Sequence, residues 1–363
     1  MSLAELTLVD FRLFYELSFA PPTRGTTVIE GPNGAGKTTI LEAVSYLGTQ
    51  RSFRRAPREA MIRTGADSGI IRGEFCRPDR VLVEAELTRS GNSRAQVNRQ
   101  PARRLELAAA APVTVFSPDD LAIVQRGPSG RRELLDDALR VMDRRAGVTI
   151  DETERVSRQR TALLRQSGGR LKEDIATTLD VWDERLSRCG TALAVAREQL
   201  VAEATPIVTA AYRALAGRND AIGLTYRRSW EGELDVALAA RRTGDVRVGA
   251  TTVGPHRDDL AITVSGRDSR LQASQGEQRS VALALRLGLH QLLTERLGEP
   301  PILLLDDVFS ELDPDRSRAL VAQLPIAQAL VTTAVPLPAG VEVAQVTNVL
   351  TIGKRHETGG GPA

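Results

Sequence analysis

The feature that most constrains this chain is the octapeptide GPNGAGKT at residues 31–38, which fits G-x-x-x-x-G-K-[ST] at every defined position. It follows TTVIE, a β-branched run that predicts a strand, and it precedes apolar residues with helical spacing, namely Ile40, Leu41, Val44 and Leu47. A glycine-rich turn between a strand and a helix presents backbone N–H groups at a helix N-terminus, which favours phosphate binding. The pattern predicts an α/β fold with a phosphate site at this turn.

Each residue type in this loop has a predicted role. The glycines let the N–H groups turn inward, Lys37 brings a positive charge to the β- and γ-phosphates, and Thr38 offers a hydroxyl to Mg²⁺. The predicted nucleotide-binding residues are Gly31, Pro32, Asn33, Gly34, Ala35, Gly36, Lys37, Thr38 and Thr39. Lys37 is also a predicted catalytic residue, and Thr38 is a predicted metal ligand.

Two adjacent acids follow an apolar run in LLLDDVFSELD, residues 303–313. The three leucines predict a strand buried on both faces, where unpaired carboxylates are rare. In the phosphate-loop mechanism an acid at the end of such a strand holds Mg²⁺, so Asp306 is the predicted second metal ligand. Asp307 is the predicted catalytic residue that polarises the attacking water. A neighbouring Mg²⁺ keeps both carboxylates ionised at this depth.

A second anion-binding helix start is predicted at SQGEQ, residues 274–278. Ser274 and Glu277 have the spacing of a capping box, and Gly276 in the first turn allows close approach to the backbone. The predicted ligand-binding residues are Ser274, Gln275, Gly276 and Glu277. Because the phosphate loop already has its own helix, this one is predicted to serve a nucleotide held by another copy of the chain.

The middle of the chain is predicted to be helical. The stretch 117–120, SPDD, has a hydroxyl cap, a proline at the first position and an acid at the third. A heptad seam follows at Ile175, Leu179, Trp182, Leu186, Cys189, Leu193, Ala196 and Leu200. The preceding VSRQRTALLRQ is helical too, and SGG at 167–169 separates the two segments. We expect a short antiparallel helical hairpin that stops at Pro206.

Strand patterns dominate the first hundred residues, and strands and helices alternate again near the C-terminus. The predicted fold is therefore an α/β body, with a mixed sheet and helices, into which a helical lobe is inserted. The predicted segments are 1–115, the N-terminal part of the phosphate-binding lobe; 116–245, the helical lobe with the hairpin; and 246–363, the C-terminal part.

Four motifs of this chain resemble a set of motifs known from other proteins. In chain order, the phosphate loop, SQGEQ, the LLLDD strand and the SELD stretch at 310–313 resemble the Walker A, signature, Walker B and D-loop motifs of ABC-type ATPases. The long helical stretch before the signature is similar to the heads of SMC-like chromosome and repair ATPases. RSFRRAPREAMIRTGA, FSPDDLAIVQRGPSGRRELLD, ERVSRQRTALLR and GPHRDDL resemble the RecF family of bacterial recombination mediators, over nearly the whole chain.

The resemblance implies a cytoplasmic DNA-binding ATPase with an ABC-type P-loop head that uses ATP and Mg²⁺. Two heads would enclose two ATP molecules, each between residues 31–38 of one subunit and 274–278 of the other. The resulting homodimer would clamp single-stranded or gapped duplex DNA, and slow, DNA-stimulated hydrolysis would release it. The family acts with other recombination mediators at gaps or stalled forks, in recombinational repair, replication restart, recombinase loading and the SOS response.

Three positions depart from the ABC pattern. Asp307 stands where transporters carry a longer glutamate, so slow hydrolysis is expected. The transporter histidine after Walker B corresponds to LVTT at 330–333, where the resemblance implies that Thr332 or Thr333 senses the γ-phosphate. The glutamine of the Q-loop is not identifiable by spacing, and Gln125 is a candidate.

Composition and charge constrain the function and location of the protein less strongly than the motifs do. The net charge of +2 predicts no polyanion partner by itself, but arginines cluster at 51–63 and at 126–145, as either a phosphate-binding surface or a solvated face. Two distant cysteines and the absence of a signal peptide or of an apolar run of about 20 residues favour a cytoplasmic protein with no membrane partner. His256 is either a structural corner or a base, and His290 is predicted to pack in the core.

Three other function classes fit parts of the pattern. A transporter nucleotide-binding subunit is disfavoured by the short hairpin, the SQGEQ variant and the missing histidine. A structural head of the cohesion type would need a far longer coiled coil. A small-molecule phosphoryl transferase would not need the signature.

Overall fold

The computed structural model describes residues 1–77, 79–90, 93–323, 327–334 and 343–349 of the 363-residue chain. Its strands are β1 Ser2–Phe11, β2 Phe14–Phe19, β3 Gly25–Glu30, β4 Ser68–Arg77, β5 Asp79–Thr88, β6 Arg94–Val97, β7 Gln100–Pro101, β8 Val113–Phe116, β9 Ile222–Arg227, β10 Asp259–Val264, β11 Arg267–Asp268, β12 Ile302–Asp306, β13 Gln328–Thr332 and β14 Val343–Asn348. Its helices are α1 Lys37–Thr49, α2 Arg58–Met61, α3 Arg104–Ala110, α4 Leu121–Gln125, α5 Ser129–Met142, α6 Arg144–Gln166, α7 Glu173–Ala216, α8 Leu234–Val248, α9 Ser269–Gln272, α10 Gln275–Leu297 and α11 Pro314–Ala322. Short 3-10 turns lie at Pro118–Asp120 and Val308–Glu311.

The chain divides into two compact units. Unit 1 comprises Met1–Leu121, Ala211–Arg218 and Ala282–Ala363, and unit 2 comprises Ala122–Ala210 and Asn219–Val281. The predicted division into 1–115, 116–245 and 246–363 stays a prediction about domains.

Unit 1 is built on two sheets. One is antiparallel and has the order β2-β1-β4-β5-β6-β7, and the other has the order β14-β3-β13-β12-β8 with all pairs parallel. In the parallel sheet, β13 lies between the strand that precedes the phosphate loop and the strand that ends at Asp306. Because parallel strands end at the same edge, the fold brings these sequence-distant motifs together.

Helix α1 fixes the phosphate loop in the core of unit 1. Ile40, Leu41, Val44 and Leu47 are fully buried, as their spacing predicts. They share one hydrophobic cluster with residues of both sheets, including Phe75 and Leu304. The loop therefore enters a helix that is packed on every side, which limits how far its N-terminus can move.

The predicted antiparallel hairpin is confirmed in unit 2. Leu164 of α6 packs with Leu179 of α7, while Val156 packs with Leu186 and Cys189 one step further along the pair. The residue numbers rise on one helix as they fall on the other, which is the antiparallel register.

The prediction that the hairpin stops at Pro206 is wrong. Helix α7 runs from Glu173 through Pro206 to Ala216. An internal proline removes one helical hydrogen bond and costs about 3 kcal/mol. The next turns bury Val208 and Tyr212 completely, and burial of two such side chains offsets that cost.

None of the helices described is long and apolar enough to cross a membrane. Both cysteines are free thiols, and Cys189 is a buried member of the hairpin seam.

Candidate nucleotide-binding site

The register of the parallel sheet aligns the ends of three strands. Asp306 pairs with Thr332, and Thr332 pairs with Ile29 at the entry to the phosphate loop. The loop, the acid pair and the end of β13 therefore meet at one edge of unit 1.

The phosphate loop has the backbone that its glycines predict. Gly34 and Gly36 have φ values of +79° and +100°, a region that side-chain-bearing residues rarely adopt. A Cβ on Gly36 would lie 2.6 Å from the Phe14 ring, so this glycine also permits close packing. The Lys37 ammonium donates to the carbonyls of Gly31 at 2.7 Å and Pro32 at 3.2 Å, which holds the positive charge inside the turn.

A cavity of about 250 Å³ opens at this loop. It is lined by Leu13, Pro32, Asn33, Gly34, Gly36, Lys37, Thr38, Thr39, Arg54, Asp307, Thr332 and Ala334. Most of the predicted loop residues are in this lining, whereas Gly31 and Ala35 are not. Their contacts with a nucleotide stay a prediction.

Asp306 is the centre of the polar contacts at this edge. Its Oδ1 accepts hydrogen bonds from the hydroxyls of Thr38 and Thr332, each at 2.7 Å. Burial raises the pKa of this carboxyl, the two hydroxyls and Arg54 oppose that rise, and neighbouring Asp307 adds to it. A hydroxyl beside a carboxylate is a hard oxygen donor set of the kind that Mg²⁺ prefers, so these residues fit the predicted metal.

Asp307 has an unusual backbone for a residue with a side chain. Its φ is +50°, in the left-handed region. Its N–H donates to the carbonyl oxygen and to Oγ1 of Thr332, at 3.0 and 3.1 Å, and its Oδ1 accepts from the Ala334 N–H at 3.1 Å. Such a conformation persists only where its surroundings hold it, and it is frequent at functional sites.

The predicted capping box at the signature is confirmed in unit 2. The Ser274 N–H donates to Glu277 Oε2 at 2.8 Å, and the Glu277 N–H donates to Ser274 Oγ at 3.2 Å. Ser274 and Gln275 are exposed at the start of α10, while Gln278 is buried. The signature and the cavity belong to different units, and whether Ser274, Gln275, Gly276 and Glu277 bind a nucleotide stays a prediction.

The sequence left a choice between Thr332 and Thr333, and the structure gives the two residues different surroundings. Thr332 lines the cavity and contacts both acids, whereas Thr333 is not in the lining. Gln125 does not line the cavity either, and its amide donates to Gln278 Oε1 at 2.9 Å. Leu13 and Arg54 were not predicted as site residues, although Arg54 belongs to the arginine cluster at 51–63.

Much of the second arginine cluster is committed to contacts inside unit 2. Arg131 forms a two-point ion pair with Asp259 at 2.7 and 3.0 Å, and Arg140 pairs with Asp151 at 2.8 Å. Both arginine side chains are buried. Their sequence clustering reflects internal ion pairs, so these two guanidinium groups do not form a phosphate-binding surface.

His256 and His290 both make contacts that are typical of structural residues. His256 Nε2 lies 3.0 Å from the Thr251 carbonyl oxygen in the GPHRDD corner, and burial lowers its pKa. His290 is buried with Nδ1 at 2.9 Å from Thr114 Oγ1, which confirms that it packs in the core. Burial lowers the pKa of His290 to about 4.

This chain is similar in sequence and in structure to several known proteins. The profile of the RecF/RecN/SMC N-terminal domain family matches residues 2–336. A protein of Frankia alni named DNA replication and repair protein RecF is 39% identical over 379 residues, which cover 98% of this chain and 99% of that protein. A solved structure described as the recombination mediator protein RecF with ATP, in the RecFOR pathway, is 27% identical and has a TM-score of 0.85, covering 96% of this chain and 95% of its own.

A more distant structure supports the fold alone. It is an Smc head bound to the C-winged helix domain of ScpA, with a TM-score of 0.53 at 16% identity, covering 93% of this chain and 90% of its own. Together with the family match, it confirms the predicted ABC-type ATPase head.

Proposed function

This chain belongs to the RecF family of DNA replication and repair proteins, and we propose that it is an ATP-hydrolysing, DNA-binding recombination mediator. The single observation that carries the proposal is the meeting of Lys37, Thr38, Asp306 and Asp307 at one cavity edge in unit 1. Those are the parts that phosphoryl transfer from a triphosphate requires.

ATP binding is attributed to the phosphate loop. The loop N–H groups and the α1 N-terminus donate hydrogen bonds to the phosphate oxygens, and Lys37 moves from the Gly31 and Pro32 carbonyls to the β- and γ-phosphates. Arg54 faces the same cavity and adds a second positive charge. Binding of ATP by the solved RecF relative supports this assignment.

Thr38 and Asp306 would hold Mg²⁺, which neutralises charge on the phosphates when it is bound. Asp307 is the residue that orients and polarises the attacking water, because it lines the cavity one position beyond Asp306. Its short side chain and its engagement with the Ala334 N–H favour slow hydrolysis.

Dimerisation on ATP is the second part of the proposal. The exposed capped start of α10 offers N–H groups and the Ser274 hydroxyl to an anion, while the cavity of the same chain already has the N-terminus of α1. We assign Ser274, Gln275, Gly276 and Glu277 to the γ-phosphate of an ATP held by a second copy. The closed homodimer then clamps single-stranded or gapped duplex DNA.

The biological role follows the relatives. The curated relative is named for DNA replication and repair, and the solved relative is described in the RecFOR pathway. We carry this to the present chain as a role at gaps or stalled forks, with other mediators, in recombinase loading, replication restart and the SOS response.

Sedimentation velocity tests the proposal. The wild type and Lys37→Met are each run with no nucleotide, with ATP, and with ATP plus gapped duplex DNA. We expect an ATP-dependent shift from monomer to dimer in the wild type, a further shift with gapped DNA, and neither shift in Lys37→Met. Lys172→Met is a matched control, because Lys172 is an exposed lysine outside the cavity.

A wild type that hydrolyses ATP but stays monomeric at every protein concentration would contradict the shared site. A wild type that neither binds nor hydrolyses ATP would contradict the whole proposal. Equal behaviour of Lys37→Met and Lys172→Met would remove the assigned role of Lys37.

A further inference from the structure

Thr332 contacts both acids of the candidate site through one hydroxyl. Its Oγ1 donates to Asp306 Oδ1 at 2.7 Å and accepts the Asp307 N–H at 3.1 Å. The side chain is 1% exposed, so this hydroxyl has little access to bulk water. Neighbouring Thr333 has no place in the cavity lining.

The hydrogen-bond capacity of a hydroxyl limits what Thr332 can do. A threonine hydroxyl has one donor, and Asp306 already receives it. Phosphate oxygens only accept hydrogen bonds from such a group. Thr332 therefore cannot donate to a γ-phosphate unless it releases Asp306, which would leave a buried carboxylate with one hydroxyl fewer.

The same residue determines the backbone of Asp307. Both the carbonyl oxygen and Oγ1 of Thr332 accept the Asp307 N–H, and Ala334 N–H donates to the Asp307 carboxylate. These contacts engage both the backbone N–H and the side chain of a residue whose φ is +50°. Three hydrogen bonds with Thr332 and Ala334 thus hold Asp307, which lines the cavity.

From this geometry we propose that Thr332 is a positioning residue that holds Asp306 and Asp307 in their working orientations, and that it does not sense the γ-phosphate. The proposal rests on the proposed ATP hydrolysis for its catalytic consequence. Its structural part, the hold on the Asp307 amide, does not depend on any nucleotide.

The test uses Thr332→Val, which keeps the shape and removes the hydroxyl, and Thr332→Ser, which keeps the hydroxyl. In Thr332→Val, kcat is expected to fall about tenfold to a hundredfold, the range for losing a hydrogen bond to a charged group, while KM stays within about twofold. Thr332→Ser is expected to restore kcat. The ratio of the affinities for a non-hydrolysable ATP analogue and for ADP is expected to stay unchanged in both variants.

Two further measurements separate positioning from a general structural effect. In an Asp307→Ala background, Thr332→Val is expected to produce little additional loss of kcat, because a residue that acts through Asp307 has nothing left to position. In the nucleotide-free protein, exchange of the Asp307 amide hydrogen is expected to accelerate in Thr332→Val and not in Thr333→Val.

Several results would overturn the inference. A selective loss of affinity for the ATP analogue over ADP in Thr332→Val would make this residue a γ-phosphate sensor. An unchanged kcat, or an equal loss of kcat with and without Asp307, would also refute it. If Thr332→Val does not fold, Thr332→Ala takes its place. If the wild type does not hydrolyse ATP, the proposed function fails, and the amide exchange alone decides the hold on Asp307.

Discussion

The guanidinium of Arg160 donates to the Asp245 carboxylate at 2.7 Å, and neither side chain has any exposed surface. Arg160 also donates to Asp183 at 2.6 Å and to Thr251 Oγ1 at 2.9 Å. These contacts join α6 to α7 and α8 within unit 2. A buried cation with several partners fixes the register of these helices, because any slip would leave charges without partners.

Replacement of Arg160 by methionine is therefore expected to lower the free energy of unfolding by about 3 to 5 kcal/mol, since it leaves the buried Asp245 and Asp183 carboxylates without this cation. Arg158→Met on the same helix is the matched control. Arg158 is 71% exposed and lies 3.7 Å from Glu154, so its loss is expected to cost less than about 1 kcal/mol. Urea denaturation of both variants gives the comparison, and equal losses would contradict the assignment.

Gly34 and Gly36, two of the positive-φ glycines of the phosphate loop, give a second prediction. A Cβ at Gly34 meets no atom within 4 Å among the residues that the structure describes, so Gly34→Ala is expected to lower the free energy of unfolding by about 1 to 2 kcal/mol through backbone strain alone. Gly36→Ala adds a Cβ at 2.6 Å from the Phe14 ring. Overpacking is therefore expected to lower its free energy of unfolding by roughly 1 to 3 kcal/mol more. Thermal unfolding without nucleotide measures both. A smaller loss of stability for Gly36→Ala than for Gly34→Ala would show that the Phe14 ring shifts at little cost.

The buried His290 predicts acid sensitivity. Burial lowers its pKa to about 4, so between the ordinary value and 4 the unfolded chain binds a proton that the folded chain excludes. Stability from this group is therefore present above the unfolded pKa and is lost as the pH falls toward 4, by about 3 kcal/mol in total. Because His256 also has a lowered pKa, the informative quantity is the wild type minus His290→Gln. A difference in unfolding free energy that does not vary between pH 7 and 5 would contradict the prediction.

Local sequence patterns predicted the parts of the site that local chemistry builds. The phosphate loop and the box at Ser274 and Glu277 depend on residues within a few positions of each other, so spacing alone specifies them. The buried strand before Asp306 was predictable for the same reason, since its apolar run is continuous.

Other features depend on tertiary register, which one sequence does not contain. Thr332 is the last residue of β13 and Thr333 lies just beyond it, and the pairing of Thr332 with Asp306 decides between them. The partners of Arg131 and Arg140 lie in other segments of unit 2, so their clustering gave a misleading signal. At Pro206 the burial of Val208 and Tyr212 outweighs the local cost of proline, which propensity alone does not register.

Mixing two inactive variants tests whether the nucleotide site is shared between two copies. Lys37→Met damages the phosphate loop, and Ser274→Arg places a bulky side chain at the exposed start of α10 while removing a helix cap worth about 1 kcal/mol. Each variant alone is expected to be folded and inactive in ATP hydrolysis. In a mixed dimer, the intact loop of the Ser274→Arg subunit faces the intact Ser274 of the Lys37→Met subunit, which restores one complete site.

An equal mixture is therefore expected to recover up to about half of wild-type activity, because Lys37→Met is not expected to pair with itself and each mixed dimer has one complete site out of two. Ser274→Thr serves as the control, because threonine keeps both the cap and the hydroxyl and should remain active without a partner. If each site instead belonged to one chain, every subunit in the mixture would carry a defective site and no activity would return. Steady-state hydrolysis at several mixing ratios decides between the two, since a shared site gives maximal recovery at equal amounts.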